Sequence, residues 1–156
     1  MTTRGKLYLV AAGSASAAIG VVHLATIAIG GPAYRFFGAG ERLAQRAEAG
    51  SLEPAVITLI FAVAFLVLAA YGFSGAGVLR KLPLLRTALV ATSAVYLLRG
   101  LFVISEVLAL KGGRAIPPRF VVFSLVSLGV GICYALGTIG AWSRLREAHA
   151  APEGNA

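Results

Sequence analysis

Charged residues are scarce in this chain. Only 13% of its 156 residues are charged, 58% are hydrophobic, and the mean hydropathy is +0.86. An ordinary soluble domain carries about 25% charged residues, because its surface has to stay hydrated. The scarcity of charge therefore excludes a soluble globular domain and predicts a membrane protein, and the length allows one domain.

Residues that build redox and metal centres are nearly absent as well. The single cysteine, Cys133, excludes an internal disulfide framework, a four-thiolate zinc site and an iron–sulfur cluster held by this chain alone. The sequence contains no Cys-x-x-Cys-His, no phosphate-binding Gly-x-x-x-x-Gly-Lys and no His-Glu-x-x-His. We therefore expect no cofactor and no bound metal.

Acidic residues are few, with 6 Asp+Glu against 14 Lys+Arg and a formal net charge of +8. The basic residues stand in short segments between apolar runs, where each contributes about 1 kcal/mol at an anionic membrane surface. The positive charge therefore indicates membrane lipids as partners and argues against nucleic acid.

Four apolar runs are long enough to cross a bilayer, which takes about 20 helical residues. They cover residues 7–30, 54–73, 87–110 and 120–142, and a short polar tail, 143–156, follows them. The sequence thus predicts an all-α, polytopic membrane protein: an antiparallel four-helix transmembrane bundle forming a single domain.

The connections give further expectations. Residues 41–49 have a helix-favouring composition, which predicts a short interfacial helix between the first two spans. Ser51 is placed as an N-cap, and Pro54 suits the first turn of the second span. The dense basic stretch at 80–86 favours a cytoplasmic location for both termini. The bias toward Ala, Gly and Arg is typical of a GC-rich bacterial genome, so we expect a bacterial inner membrane.

Three strongly polar side chains lie inside the predicted spans: His23, Arg99 and Glu106. An ionisable group at such depth costs at least about 2.5–3.5 kcal/mol, so a partner, water or a function has to offset it. The first and third spans run in the same direction, which puts the three roughly 10, 16 and 6 Å from one face. We expect them to converge on a shared polar pocket, with Tyr96 on the same stripe of the third span.

Arg99 and Glu106 are seven residues apart, but a helical side chain leans toward its own N-terminus, so Arg99 points away from Glu106. We expect a water, a ligand or another residue between them. Candidates come from every other span and from the first connection: His23, Glu53, Thr58, Tyr34, Arg35, Ser124 and Ser127. The ligand-binding residues predicted from the sequence are Arg99, Glu106, His23, Tyr96, Glu53, Tyr34 and Arg35.

Several functions fit these residues. The main expectation is a non-enzymatic protein that binds a lipid, a quinone-like or another amphipathic molecule, or that serves as an accessory subunit of a membrane complex or homo-oligomer. One alternative is a membrane enzyme that uses His23 and Glu106 for acid–base chemistry on a lipophilic substrate; another is a proton-coupled transporter. A purely structural clamp formed by the polar residues also stays open.

In length and span number the chain resembles the broad group of small four-span bacterial membrane proteins that includes the DoxX-like proteins. The resemblance implies a membrane bundle and carries over no active-site residue.

Overall fold

The computed structural model describes residues 3–142, and every regular element in that range is a helix. The predicted polar tail, 143–156, lies outside the described residues. Seven helices follow one another along the chain: α1 (Thr3–Ile29), α2 (Gly31–Phe37), α3 (Glu41–Glu48), α4 (Glu53–Gly75), α5 (Leu85–Gly100), α6 (Phe102–Lys111) and α7 (Pro118–Gly140).

Four helical stretches are long and apolar enough to cross a membrane: α1, α4, α5 with α6, and α7. Only 22–28% of the residues in each apolar window are buried, so most of their apolar side chains face outward. An apolar exterior of this extent needs a non-aqueous surrounding, which is consistent with a multi-pass membrane protein. The all-α prediction is confirmed, and four helical stretches long and apolar enough to span a membrane lie where the spans are predicted, with ends that differ by one to four residues.

The first connection contains two short helices instead of the one predicted. Helix α2 begins at Gly31, one residue after Gly30, and Pro32 fits its first turn because the missing N–H would have no partner there. Gly38 ends α2 in the left-handed conformation, at φ 80°. Ser51 Oγ accepts a hydrogen bond from the Glu53 backbone N–H at 3.3 Å, close to the predicted cap of α4.

The sequence predicts one continuous helix for the third span, but the structure divides this span into two helices. Helix α5 ends at Gly100 and α6 begins at Phe102. At this junction, the N–H of Ile104 in α6 donates a hydrogen bond to the Leu101 carbonyl at 3.0 Å. The donor and acceptor are three residues apart, which is the spacing of a 3₁₀ turn. The irregularity therefore lies between Arg99 and Glu106.

The chain forms two compact units. Within the described residues, the first combines residues 3–13 with residues 70–142, and the second is Ser14–Ala69. In the first unit, Leu9, Leu89 and Tyr134 are fully buried and form the centre of the apolar packing. The expectation of a single four-span domain stays a prediction.

Glycines bring α5 and α7 unusually close together within the first unit. A Cβ added at Gly100 would lie 2.5 Å from Leu128 Cα, and one added at Gly131 would lie 2.8 Å from the Leu97 backbone nitrogen. The obstacles are backbone atoms, so they have little freedom to move aside. Close approach at glycine is a common way for helices to associate in lipid, where packing replaces the hydrophobic effect.

We expect Gly100→Ala to destabilise the protein by about 1–3 kcal/mol, because the added methyl group overlaps α7. Gly129→Ala is the matched control, since a Cβ at that position meets nothing within 4 Å. The stability of Gly129→Ala should match or slightly exceed that of the wild type, because alanine favours helix over glycine by about 1 kcal/mol. Unfolding of each purified variant in detergent measures its free energy of unfolding. A Gly100→Ala protein as stable as Gly129→Ala would contradict the close contact.

Candidate functional site

A hydrogen-bonded relay links two ionisable residues of the third span through a serine of the fourth. Arg99 Nη1 donates to Ser124 Oγ at 2.7 Å, and Ser124 Oγ donates to Glu106 Oε1 at 2.9 Å. Among the ion pairs that the structure describes in residues 3–142, none joins Arg99 directly to Glu106. We call Arg99, Ser124 and Glu106 the polar relay.

The local structure explains why Ser124 fills the gap. Ser124 and Leu128 are one helical turn apart on α7, and Leu128 is the residue against which Gly100 packs. The contact at Gly100 thus brings the neighbouring Arg99 within reach of a short serine side chain. Ser124 is completely buried, so its hydroxyl has to find its partners inside the protein.

The relay balances charge across a neutral group. The hydroxyl accepts from a guanidinium and donates to a carboxylate, and each hydrogen bond is strengthened because one partner is charged. One atom is left over: Glu106 Oε2 is buried and has no hydrogen-bond partner among the described residues.

Arg99 is only partly satisfied by the relay. Its side chain is exposed although it lies within a span, and its Cζ atom is 5.8 Å from the centre of the Phe102 ring. A guanidinium has five N–H donors. Ser124 takes one of them, so four have no hydrogen bond to the described part of the chain.

Tyr96, the third predicted site residue in this unit, is buried against another aromatic ring. Its ring stacks on that of Tyr134 at 5.8 Å between centroids and 19° between planes. The stacking supports the packing of α5 on α7 one turn before Arg99.

The remaining predicted site residues belong to the second unit. His23 Nδ1 donates to the Ile19 carbonyl at 2.8 Å, since a carbonyl can only accept, and the imidazole ring lies 4.9 Å from the Phe65 ring. Tyr34 is 2% exposed, and its hydroxyl accepts a hydrogen bond from Thr58 Oγ1 at 3.3 Å.

Arg35 holds the first connection together. Its Nε and Nη2 donate to Glu41 at 2.9 and 2.8 Å, and its Nη1 and Nη2 donate to Glu48 at 2.5 and 2.9 Å. These contacts fix α2 against α3. We call the three residues the Arg35 clamp.

The clamp shifts the titration of its carboxyl groups. Hydrogen bonds from the Arg35 guanidinium, aided by its positive charge, hold the pKa of Glu41 and that of Glu48 below the ordinary value of 4.5. The same contacts raise the pKa of Arg35. Glu53, at the start of α4, forms an ion pair with Arg46 of α3.

The structure thus joins two predicted site residues, Arg99 and Glu106, through a third group, as the side-chain direction of Arg99 predicts. The convergence of His23 with Arg99 and Glu106 on one polar pocket, and the binding role of the other candidates, stay predictions. The Arg35 clamp was not predicted from the sequence, although one signal was present: an arginine precedes a short, glutamate-containing helix in the same connection. Within residues 3–142, no three His, Cys, Asp or Glu side chains cluster in a way that could hold a metal ion.

Ser124→Ala should destabilise the protein by about 1–3 kcal/mol, because it leaves two charged partners without their shared hydroxyl. Ser127→Ala is the matched control one turn away. The Ser127 hydroxyl bonds only back to the Phe123 carbonyl of its own helix, so its loss should change stability by less than about 0.5 kcal/mol. Unfolding in detergent measures the free energy of unfolding of both variants. Equal stability of the two variants would show that the relay contributes nothing.

The Arg35 clamp predicts a pH dependence. Because the carboxyl pKa values are lowered in the folded state, the clamp stabilises the protein above pH 4.5, and this contribution is lost as the pH falls through the folded-state pKa values. Arg35→Gln should lower the melting temperature at neutral pH and remove part of its decline in acid. Arg42→Gln, which removes the same charge from α3, should keep the wild-type profile. Parallel profiles for Arg35→Gln and wild type would contradict the assignment.

Comparison of the chain with protein-family models, with curated proteins and with solved structures finds no match, so the function rests on the residues themselves.

Proposed function

We propose that this protein is a four-span protein of the bacterial inner membrane, folded as an antiparallel bundle with both termini in the cytoplasm. Its function in this proposal is to bind an amphipathic, lipid-like molecule by its polar head at Arg99, alone or as part of a larger membrane complex. The head group would be a hydrogen-bond acceptor such as a carboxylate, a phosphate or a carbonyl.

The observation that carries the proposal is the incomplete satisfaction of Arg99. The residue lies 12 positions before the end of the third span, at Lys111, which corresponds to a depth of roughly 18 Å. An unpaired arginine at such depth costs at least about 2.5–3.5 kcal/mol. Four N–H donors without a described partner therefore favour an acceptor that comes from outside the chain.

The surroundings of Arg99 suit the apolar part of such a molecule. Val95, one turn before Arg99, is 60% exposed, Leu98 is 64% exposed, and Phe102 is 59% exposed. These side chains form an apolar strip beside the guanidinium. A ligand with its head at Arg99 would lay its hydrocarbon chain on that strip and reach the site sideways from the bilayer.

The rest of the polar relay prepares Arg99 for this task. Ser124 fixes one nitrogen of the guanidinium, so its plane is oriented before a ligand arrives. Glu106 supplies compensating negative charge through the hydroxyl without occupying the other donors. Preorganisation of this kind reduces the entropy lost on binding.

One observation favours a second candidate, proton transfer on a lipophilic substrate. Glu106 Oε2 is buried and without a hydrogen-bond partner among the described residues, which makes it the atom on which a proton would be carried. In that case Glu106→Gln would abolish function. In the binding proposal the same change removes compensating charge but leaves the N–H donors of Arg99, so it weakens binding without abolishing it.

The binding proposal can be tested with a fluorescent long-chain fatty acid and its methyl ester, titrated into the purified protein in detergent. We expect saturable binding of the acid, weakened about tenfold or more in Arg99→Gln, because a hydrogen bond to a charged group is worth about 1.5–3 kcal/mol. Arg99→Lys should give an intermediate affinity, since it keeps the charge and loses the fork.

Arg42→Gln is the control, because it removes an arginine from a connection and leaves the spans unchanged. It should bind the acid as the wild type does, and the methyl ester should bind all variants more weakly and more uniformly. No saturable binding to the wild type, or equal binding by Arg99→Gln and Arg42→Gln, would overturn the proposal.

A further inference from the structure

A second polar feature lies at the opposite end of the third span from Glu106. A cleft of about 540 Å³ opens between the second connection and the end of the fourth span, lined by residues 81–87, Val90 and Trp142. It belongs entirely to the first unit. Two of its lining residues, Lys81 and Arg86, are basic, and none is acidic.

Arg86 donates no side-chain hydrogen bond within residues 3–142. The Cζ atom of its guanidinium lies 3.9 Å from the centre of the Trp142 ring, which is a cation–π contact. Such a contact is not a hydrogen bond, so the cation can still donate its N–H groups to an acceptor.

The second connection is held in a defined shape around the cleft. Ser74 Oγ donates to the Arg80 carbonyl at 2.9 Å and accepts from the Leu82 N–H at 3.0 Å, and Ser74 is only 3% exposed. Tyr71 Oη donates to the Pro83 carbonyl at 3.1 Å. The basic residues are therefore carried on an anchored segment.

The cleft is apolar as well as basic. Leu84 is 74% exposed and Val90 is 47% exposed, and Trp142 is a residue type that prefers the boundary between headgroups and hydrocarbon. A free anion would gain nothing from contact with these apolar side chains. A phosphate that carries acyl chains would bind both the cations and the apolar wall.

We propose that this cleft is a binding site for the phosphate headgroup of an anionic phospholipid, with Arg86 and Lys81 as its cationic partners and Trp142 as the support of Arg86. The start of α5, which has no side-chain cap, adds its backbone N–H groups to the same side. This site is separate from the one proposed at Arg99, and neither depends on the other.

A cleft at the other end of the third span provides a contrast. Ser105, Leu108 and Arg114 help to line it, and its volume is about 420 Å³. It contains one basic residue and no aromatic residue to orient that cation. Arg114→Gln therefore removes the same charge from a cleft without the proposed site.

The test is native mass spectrometry of the delipidated full chain after incubation with phosphatidylglycerol or with phosphatidylcholine of identical acyl chains. We expect the wild type to retain phosphatidylglycerol in preference to phosphatidylcholine. Arg86→Gln should reduce phosphatidylglycerol retention about tenfold, Arg86→Lys less, and Arg114→Gln should leave it unchanged. The phosphatidylcholine signal should be the same in every variant, which shows that they are folded.

Three results would overturn the proposal. Equal retention of the two lipids by the wild type would exclude recognition of the anionic headgroup. An equal loss in Arg86→Gln and Arg114→Gln would point to general surface charge. Displacement of phosphatidylglycerol by inorganic phosphate at comparable concentration would assign the cleft to the free anion, since the acyl chains would then contribute nothing.

Discussion

The constraint on which the structure depends is the presence of a permanent positive charge deep in an apolar span. A guanidinium keeps its proton under all conditions that a protein meets, so Arg99 cannot become neutral as a buried lysine can. The chain has to offer it an acceptor. It does so with Ser124, whose hydroxyl accepts from Arg99 at 2.7 Å and passes the interaction on to Glu106.

A serine side chain is short, and this choice of acceptor determines the packing around it. Helix α7 has to lie close to α5, and Gly100 allows that approach because it has no side chain to meet Leu128. Leu128 and Ser124 are neighbours on one face of α7. The close contact and the hydrogen bond are thus two results of the same helix placement.

Hydropathy along the chain is enough to predict the four spans, because the bilayer fixes how many apolar residues a helix needs. It does not predict the interruption at Leu101, which is surrounded by apolar residues that fit an unbroken helix equally well. Nor does it select Ser124 from the candidates, since that choice depends on how α7 is rotated toward α5. The direction of the Arg99 side chain, by contrast, follows from helix geometry and predicts that a group intervenes.

The Arg35 clamp was missed for a related reason. Its carboxylates stand six and thirteen residues after Arg35, and only the return of α3 against α2 brings both within hydrogen-bonding distance. The spacing of residues along the chain does not predict that α3 packs back against α2. Helix α2, which carries Arg35, was likewise not predicted, although Pro32 suits the first turn of a helix.

Three arginines of this chain show how the use of N–H donors separates structural from binding roles. Arg35 donates four hydrogen bonds to two carboxylates, and its geometry is complete without a ligand. Within the described residues, Arg99 donates one hydrogen bond and Arg86 has only a cation–π contact with Trp142, so both cations keep donors that no described acceptor takes. A side chain that is fixed in place but not saturated gains most from an outside acceptor, because little entropy is left to lose when the ligand binds. The same argument explains why Arg35, which the sequence alone placed among the ligand-binding candidates, is the weakest of the three in that role.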